Sequence, residues 1–188
     1  PDTIDILVKD ALFGADKQTR EKCQQTIREL ALAQGIFPAS IQRLYEAAGK
    51  GLYQGVTVPA INIRGITYHV ARAVFKAALR NKVGAFIFEI ARSEIGYTGQ
   101  RPAEYATCIL AAGLREGFKG PVFLQGDHFQ VNRSRYASEP KKERKELQKL
   151  IQESVDAGFL NIDIDASTLV ELEKRSLAEE QEKNCLVT

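Results

Sequence analysis

The stretch Pro121-Val-Phe-Leu-Gln-Gly-Asp-His-Phe-Gln130 starts as a short apolar run and ends with a carboxylate beside an imidazole. Its first part, PVFLQG (121–126), reads as a buried strand. Helical patterns flank it. RPAEYATCILAAGLREGF precedes it, with Pro102 near the first turn, where proline is tolerated. KKERKELQKLIQESVDAG follows it and is closed by Gly158. The same alternation repeats outward. Upstream lie VTVPAINI (56–63), a strand candidate, the helical ITYHVARAVFKAALRN, and GAFIFEI (84–90). The last is a continuous apolar run of the kind expected of a strand buried on both faces. Downstream, FLNIDID (159–165) reads as a fourth strand and TLVELEKRSLAEEQEKN as a fourth helix.

Strands that alternate with helical crossovers form a parallel sheet. Two α/β architectures compete: a doubly wound sheet and a (β/α)8 TIM barrel. No GxGxxG or P-loop follows any strand, which removes the usual nucleotide signature of the first. In both, active residues gather where strands end. That rim is rich in polar residues: Asn62, Arg64, Glu89, Arg92, Ser93, Glu94, Asp127, His128, Asp163, Asp165 and Ser167. Residues 1–55 read as a helical N-terminal extension without a strand, and 56–188 as four β/α units.

The chain has 188 residues, 44% hydrophobic and 27% charged, ordinary values for a globular protein with a sizeable core. Lys plus Arg is 26 against 24 for Asp plus Glu, so there is no basic excess of the kind a nucleic-acid binder shows. The mixed charge run at 139–149 reads as a solvated helix face. Three scattered cysteines without metal-ligand spacing point to a reducing compartment. No apolar run reaches membrane-spanning length. A cytoplasmic protein with neither nucleic-acid nor membrane partners is expected. The sequence stops in an expected helix, so a longer parent protein is expected too.

Asp127 and His128 by themselves support two readings. An imidazole is a common metal ligand, and a neighbouring carboxylate serves as an acid, a base or a partner to the ligand. Equally, a histidine capped by a loop carbonyl and an aspartate closing a turn would fit. One histidine does not complete a zinc site. The second histidine, His69, falls in a helix and reads as a surface or partly buried side chain. SEIGYTGQRP (93–102) reads equally as a mobile active-site loop or a plain connector. Glu89, Arg92 and Glu94 read as a catalytic cluster or a salt-bridged rim, with the rim preferred for any one of them, and Tyr97 and Phe129 as rim packing.

VPAINIRG, PVFLQGDHFQ and AGFLNIDIDAST together resemble the first, third and fourth strands of class II (zinc-dependent) fructose-bisphosphate or tagatose-bisphosphate aldolases, over about residues 56–170. The resemblance implies the first half of a (β/α)8 barrel. It implies a zinc ion, or another divalent cation, that stabilises the enediolate of dihydroxyacetone phosphate during retro-aldol cleavage of a ketose 1,6-bisphosphate. It makes His128 a metal ligand and Asp127 the catalytic acid. Asn62, Ser93 and Asp165 become substrate-binding residues, the substrate a phosphorylated sugar, and the assembly a homodimer. The sequence departs from that family in three places. The remaining zinc ligands and the phosphate loops come from later strands in the family. Its Gln-x-Ser on strand two is Glu89-Ile90-Ala91 here, and its histidine before the Asp-His pair is Gln125. These departures keep two other readings open: a non-catalytic sugar-phosphate-binding or accessory subunit, and an isolated half-barrel.

Overall fold

The computed structural model describes residues 2–188. Two helices open the chain, α1 (Asp2–Phe13) and α2 (Lys17–Ala33). Asp16 caps α2 by accepting a hydrogen bond from the Thr19 amide. A short strand β1 (Ile36–Pro38) and helix α3 (Gln42–Gly49) follow. Then come β2 (Ala60–Asn62), α4 (Thr67–Asn81), β3 (Ile87–Ala91), α5 (Arg92–Thr98) and α6 (Pro102–Glu116). The chain continues through β4 (Gly120–Asp127), α7 (Arg133–Ser138), α8 (Pro140–Ala157), β5 (Asn161–Ile162) and α9 (Leu177–Val187).

Every strand pair is parallel. β2, β3, β4 and β5 lie side by side in chain order, as short β-α-β crossovers produce. One sheet face carries Phe88, Ile90, Val122 and Leu124, all buried. Above them α6 packs between α4 and α8, with α1 and α2 on its far side. Because α6 is covered on so many sides, it is apolar nearly all round, and Tyr105 through Gly113 are buried without a break. Its Tyr105 hydroxyl donates to the Glu89 carbonyl oxygen at 2.8 Å, tying helix to strand. Phe75, Phe86, Phe88 and Phe118 close the core beneath β3, with ring centroids 4.8–6.0 Å apart.

The N-terminal extension is not purely helical. β1 pairs with the start of β4, Ile36 opposite Gly120 and Pro38 opposite Val122. It fills half of the strand position that β5 fills at the other end of β4. Asn161 joins the two occupants. Its Oδ1 accepts from the Ile41 amide at 2.9 Å, and its Nδ2 donates to the Leu124 carbonyl oxygen at 3.0 Å. On the outside, Asp5 of α1 accepts from the Tyr68 hydroxyl and from Arg115, which docks α1 on α4 and α6.

Other elements also differ from the sequence expectation. Regular β pairing takes up only Ala60–Asn62 of the 56–63 run, Ile87–Ala91 around the 84–90 run and Asn161–Ile162 of the 159–165 run. GAFIFEI is not apolar on both faces, since Glu89 points away from the helices and is half-buried. The 93–102 stretch begins as helix α5, because Glu94 reaches back to accept from the Ala91 amide at 2.8 Å. The expected helix over 168–184 splits into a 3-10 turn at Ser167–Leu169 and α9. The break falls where Ser176 caps α9, its Oγ accepting from the Glu179 amide at 3.3 Å, while Glu179 Oε2 accepts from the Arg175 amide just before the cap at 3.1 Å. The 139–149 charge run is not all solvated either, since Glu143 is 1% exposed.

A register change sits between β4 and β5. Gly126 pairs with Ile162. The Asp163 amide then donates to the Gly126 carbonyl oxygen at 2.8 Å, but the Asp163 oxygen accepts from Phe129, also at 2.8 Å, rather than from His128. Pairing resumes one residue out of step, with the Val131 amide on the Asp165 oxygen at 2.8 Å. Asp127 and His128 together therefore oppose Asp163 alone, which is a β-bulge. His128 takes the left-handed conformation, φ 43°. For a non-glycine residue that costs about 1–3 kcal/mol.

The bulge is held from below by Phe129, which is fully buried. A β-carbon on Gly126 would stand 2.7 Å from its ring, so the ring occupies the space a side chain would need. Gly126→Ala should cost about 1–3 kcal/mol, the range for overpacking a filled core. The double substitution Gly126→Ala, Phe129→Leu should recover part of it. Urea unfolding of the three proteins checks this, and an unchanged midpoint for Gly126→Ala would sink the packing argument.

Candidate functional site

Adjacent residues in a regular strand point to opposite faces. The bulge breaks that rule for Asp127 and His128, and both face the same cavity of about 1060 Å3 at the strand exits. Arg64, Ser93, Glu94 and Arg101 also line it. His128 Nε2 lies 3.9 Å from Asp127 Oδ1 and 3.7 Å from Asp163 Oδ2. The three side chains offer one ligand atom each within 4.8 Å of one another, a grouping that could hold a metal ion. One imidazole nitrogen and two carboxylate oxygens suit a divalent cation, and catalytic zinc takes three protein ligands and an open position.

Asn62 joins this group from the end of β2, its Nδ2 donating to Asp127 Oδ2 at 3.3 Å. Its Oδ1 is buried and has no partner among the described residues. An unmade hydrogen bond of this kind costs about 1–3 kcal/mol. Ser93, on α5, is exposed at the cavity wall. Asp165 is turned to local use. Its Oδ1 accepts from the Ser167 amide at 2.9 Å and its Oδ2 from Gln130 Nε2 at 2.6 Å. Burial works against its charge, but the Ser167 and Gln130 hydrogen bonds hold its carboxyl below the usual range. The structure thus brings Asn62, Asp127 and His128 together, adds Asp163, and leaves Asp165 one step away. His69 lies on the exposed side of α4.

Below this cluster runs a polar row across the sheet. Asn62, Glu89, Gln125 and Asn161 are register partners on four neighbouring strands. Gln125 Nε2 donates to Glu89 Oε2 at 3.0 Å. Burial first, then the charges of Asp127 and Glu94, raise the Glu89 carboxyl above its ordinary value of 4.5. Glu94 goes the other way. Burial would raise it, but the Ala91 amide and Arg64 keep it low. Arg92 pairs with the buried Glu143, so Arg92 and Glu94 are both salt-bridged, as a structural rim requires, while Glu89 has no salt-bridge partner among the described residues. Tyr97 is exposed and Phe129 lies in the core.

The linkage of Glu89 has a definite sign. A carboxyl raised by folding holds more protons in the folded than in the unfolded state, so stability falls as pH rises through and above 4.5. Glu89→Gln keeps an acceptor for Gln125 and removes that loss. The variant should melt higher than the parent at pH 7, with the gap narrowing toward pH 4. A constant gap across that range would show that Glu89 does not carry the effect.

A family model described as D-tagatose-1,6-bisphosphate aldolase subunit GatZ/KbaZ-like matches residues 71–184. No curated protein matches the chain. The match covers more than half of the chain and includes Glu89, Ser93, Asp127, His128 and both aspartates of the fourth strand. It narrows the aldolase resemblance to this subunit family rather than to class II zinc fructose-bisphosphate aldolases. The chain belongs to the GatZ/KbaZ-like family.

Proposed function

With that membership as premise, we propose that the chain is a subunit of a tagatose-bisphosphate aldolase whose cation site is built from Asp127, His128 and Asp163. The observation that carries this reading is the bulge, which aims an adjacent carboxylate and imidazole into one cavity opposite a third donor. The consecutive, parallel order β2-β3-β4-β5 supports the first four strands of a (β/α)8 barrel, in which the strand exits hold the active site.

A divalent cation there, zinc by preference, would polarise the keto oxygen of a ketose bisphosphate and stabilise the enediolate left by carbon–carbon cleavage. The chain's own residues set the rest. His128 and Asp163 would supply ligand atoms from the two strand exits that meet at the bulge. Asn62 grips Asp127 Oδ2 and so orients the carboxylate, leaving Oδ1 toward His128. That Oδ1 is the Asp127 atom that would hold the cation. Asn62 and Ser93 would face the sugar.

One feature favours a second reading, an accessory subunit that binds the sugar phosphate without turning it over. Asp165, which the aldolase resemblance places at the substrate, spends one oxygen on its own loop at Ser167 and the other on Gln130 of the segment after β4. The two readings separate by assay. Under the first, zinc at 100 times its dissociation constant should stabilise the protein by about 2.7 kcal/mol. His128→Ala should abolish that gain, and a chelator should abolish cleavage of tagatose 1,6-bisphosphate. Zinc binding with no cleavage would favour the accessory reading. A parent and a His128→Ala variant that melt alike with and without zinc would sink the cation site.

A further inference from the structure

His128 is held in a conformation that L-residues rarely adopt, and such a conformation persists only where its surroundings over-determine it. Phe129 anchors the bulge in the core, but the segment leaving the site, residues 130–132, has a separate restraint. Arg92, the first residue after β3, reaches across the cavity wall. Its NH1 donates to the Gln130 carbonyl oxygen at 2.8 Å. The same guanidinium grips both oxygens of Glu143, with NH2 at 3.2 Å from Oε2. Glu143 Oε1 then accepts from the Asn132 amide at 2.8 Å. One ion pair therefore holds the backbone on either side of Val131. From the opposite side, the Thr168 hydroxyl donates to the Val131 carbonyl oxygen at 2.7 Å.

The pair is not an ordinary surface bridge. Arg92 is 17% exposed and Glu143 1%. Two-point contact between a planar guanidinium and a carboxylate fixes orientation as well as distance. Burial would raise the Glu143 carboxyl, but the Arg92 and Asn132 hydrogen bonds keep it low and charged. Another ion pair at the same cavity has no such reach. The Arg101 and Glu153 side chains bond each other and no loop backbone among the described residues.

We propose that Arg92 and Glu143 are positioning residues: by clamping Gln130 and Asn132 they hold the strained His128 bulge in place and preset the cluster of Asp127, His128 and Asp163 for its cation. Neither touches the cation. The affinity part of the proposal rests on the cation reading given above; the backbone part stands without it.

The test uses the whole chain and cobalt(II) as the probe. Glu143→Gln keeps the size and one acceptor but loses the charged fork. Arg92→Lys keeps the charge and loses the reach to both partners. Glu153→Gln removes a comparable pair at the same cavity and serves as control. Partners that orient metal ligands change metal affinity by roughly 10- to 100-fold. Calorimetry should therefore show cobalt binding at least about 10-fold weaker in the first two variants and unchanged in the third. In metal-free protein, hydrogen exchange at the Phe129 and Val131 amides should speed up in the first two variants, while Ile90 and Leu124 stay protected. A variant that melts lower yet keeps parental cobalt affinity and parental exchange at Phe129 and Val131 would overturn the proposal. If the parent itself binds no cobalt, the cation reading falls, and exchange at those two amides decides the clamp.

Discussion

The ring of Phe129 stands where a β-carbon on Gly126 would have to be. That mutual exclusion lets β4 gain one residue on β5 without losing its place in the core. The fully buried ring pins the chain immediately after the extra residue, and pairing resumes at Val131 and Asp165. The strain that the slip imposes falls on His128 alone. Everything chemical at the strand exits follows from it: an acid and an imidazole adjacent in sequence share a cavity, and Asp163 lies opposite both.

The two sheet faces do different work. One is a conventional core, sealed by aromatic rings and by a central helix buried nearly all round. The other carries a row of amides and a carboxylate in register, Asn62, Glu89, Gln125 and Asn161. Such a row is tolerated because its members bond one another, the backbone or, for Asn62, the Asp127 carboxylate. Its one buried orphan among the described residues, Asn62 Oδ1, lies beside the cluster to which the function is assigned. Charge follows the same division. Arg64 and Arg92 each neutralise a buried glutamate, whereas Glu89, Asp127 and Asp163 have no lysine or arginine salt-bridge partner among the described residues.

Much of this was legible in the sequence. The β-α rhythm, the glycine that stops α8, and the Asp-His pair at a strand exit are local signals, and each corresponds to an observed feature. What was not legible is relational. A bulge belongs to two strands, so PVFLQGDHFQ alone does not reveal it. In a regular register His128 would oppose Ile164; the one-residue slip sets it, with Asp127, opposite Asp163 instead. The family resemblance pointed to Asp165; the slip puts Asp163 beside the imidazole. Glu143 was hidden differently, inside a charge run whose composition is that of a solvated face. Only the approach of Arg92 from another element makes it a core residue. The cap at Ser176 and Glu179 was the opposite case, a local signal written in the sequence within what looked like one unbroken helix.

β1 shares one side of β4 with β5, and that arrangement constrains the order in which the molecule can be assembled. Ile36, Phe37 and Pro38 pair with Gly120, Pro121 and Val122, which are made much later in synthesis. The first two helices are no better placed, since the partner they pack on, α6, begins only at Pro102. As the chain leaves the ribosome, its N-terminal segment therefore has no sheet to join until β4 emerges. Contacts between segments so far apart in sequence form slowly, because a long loop must close first. During that interval the apolar faces of α1 and α2 are open to wrong partners. The α1–α2 hairpin, whose two helices pack on each other, is the one shelter available to it in that time.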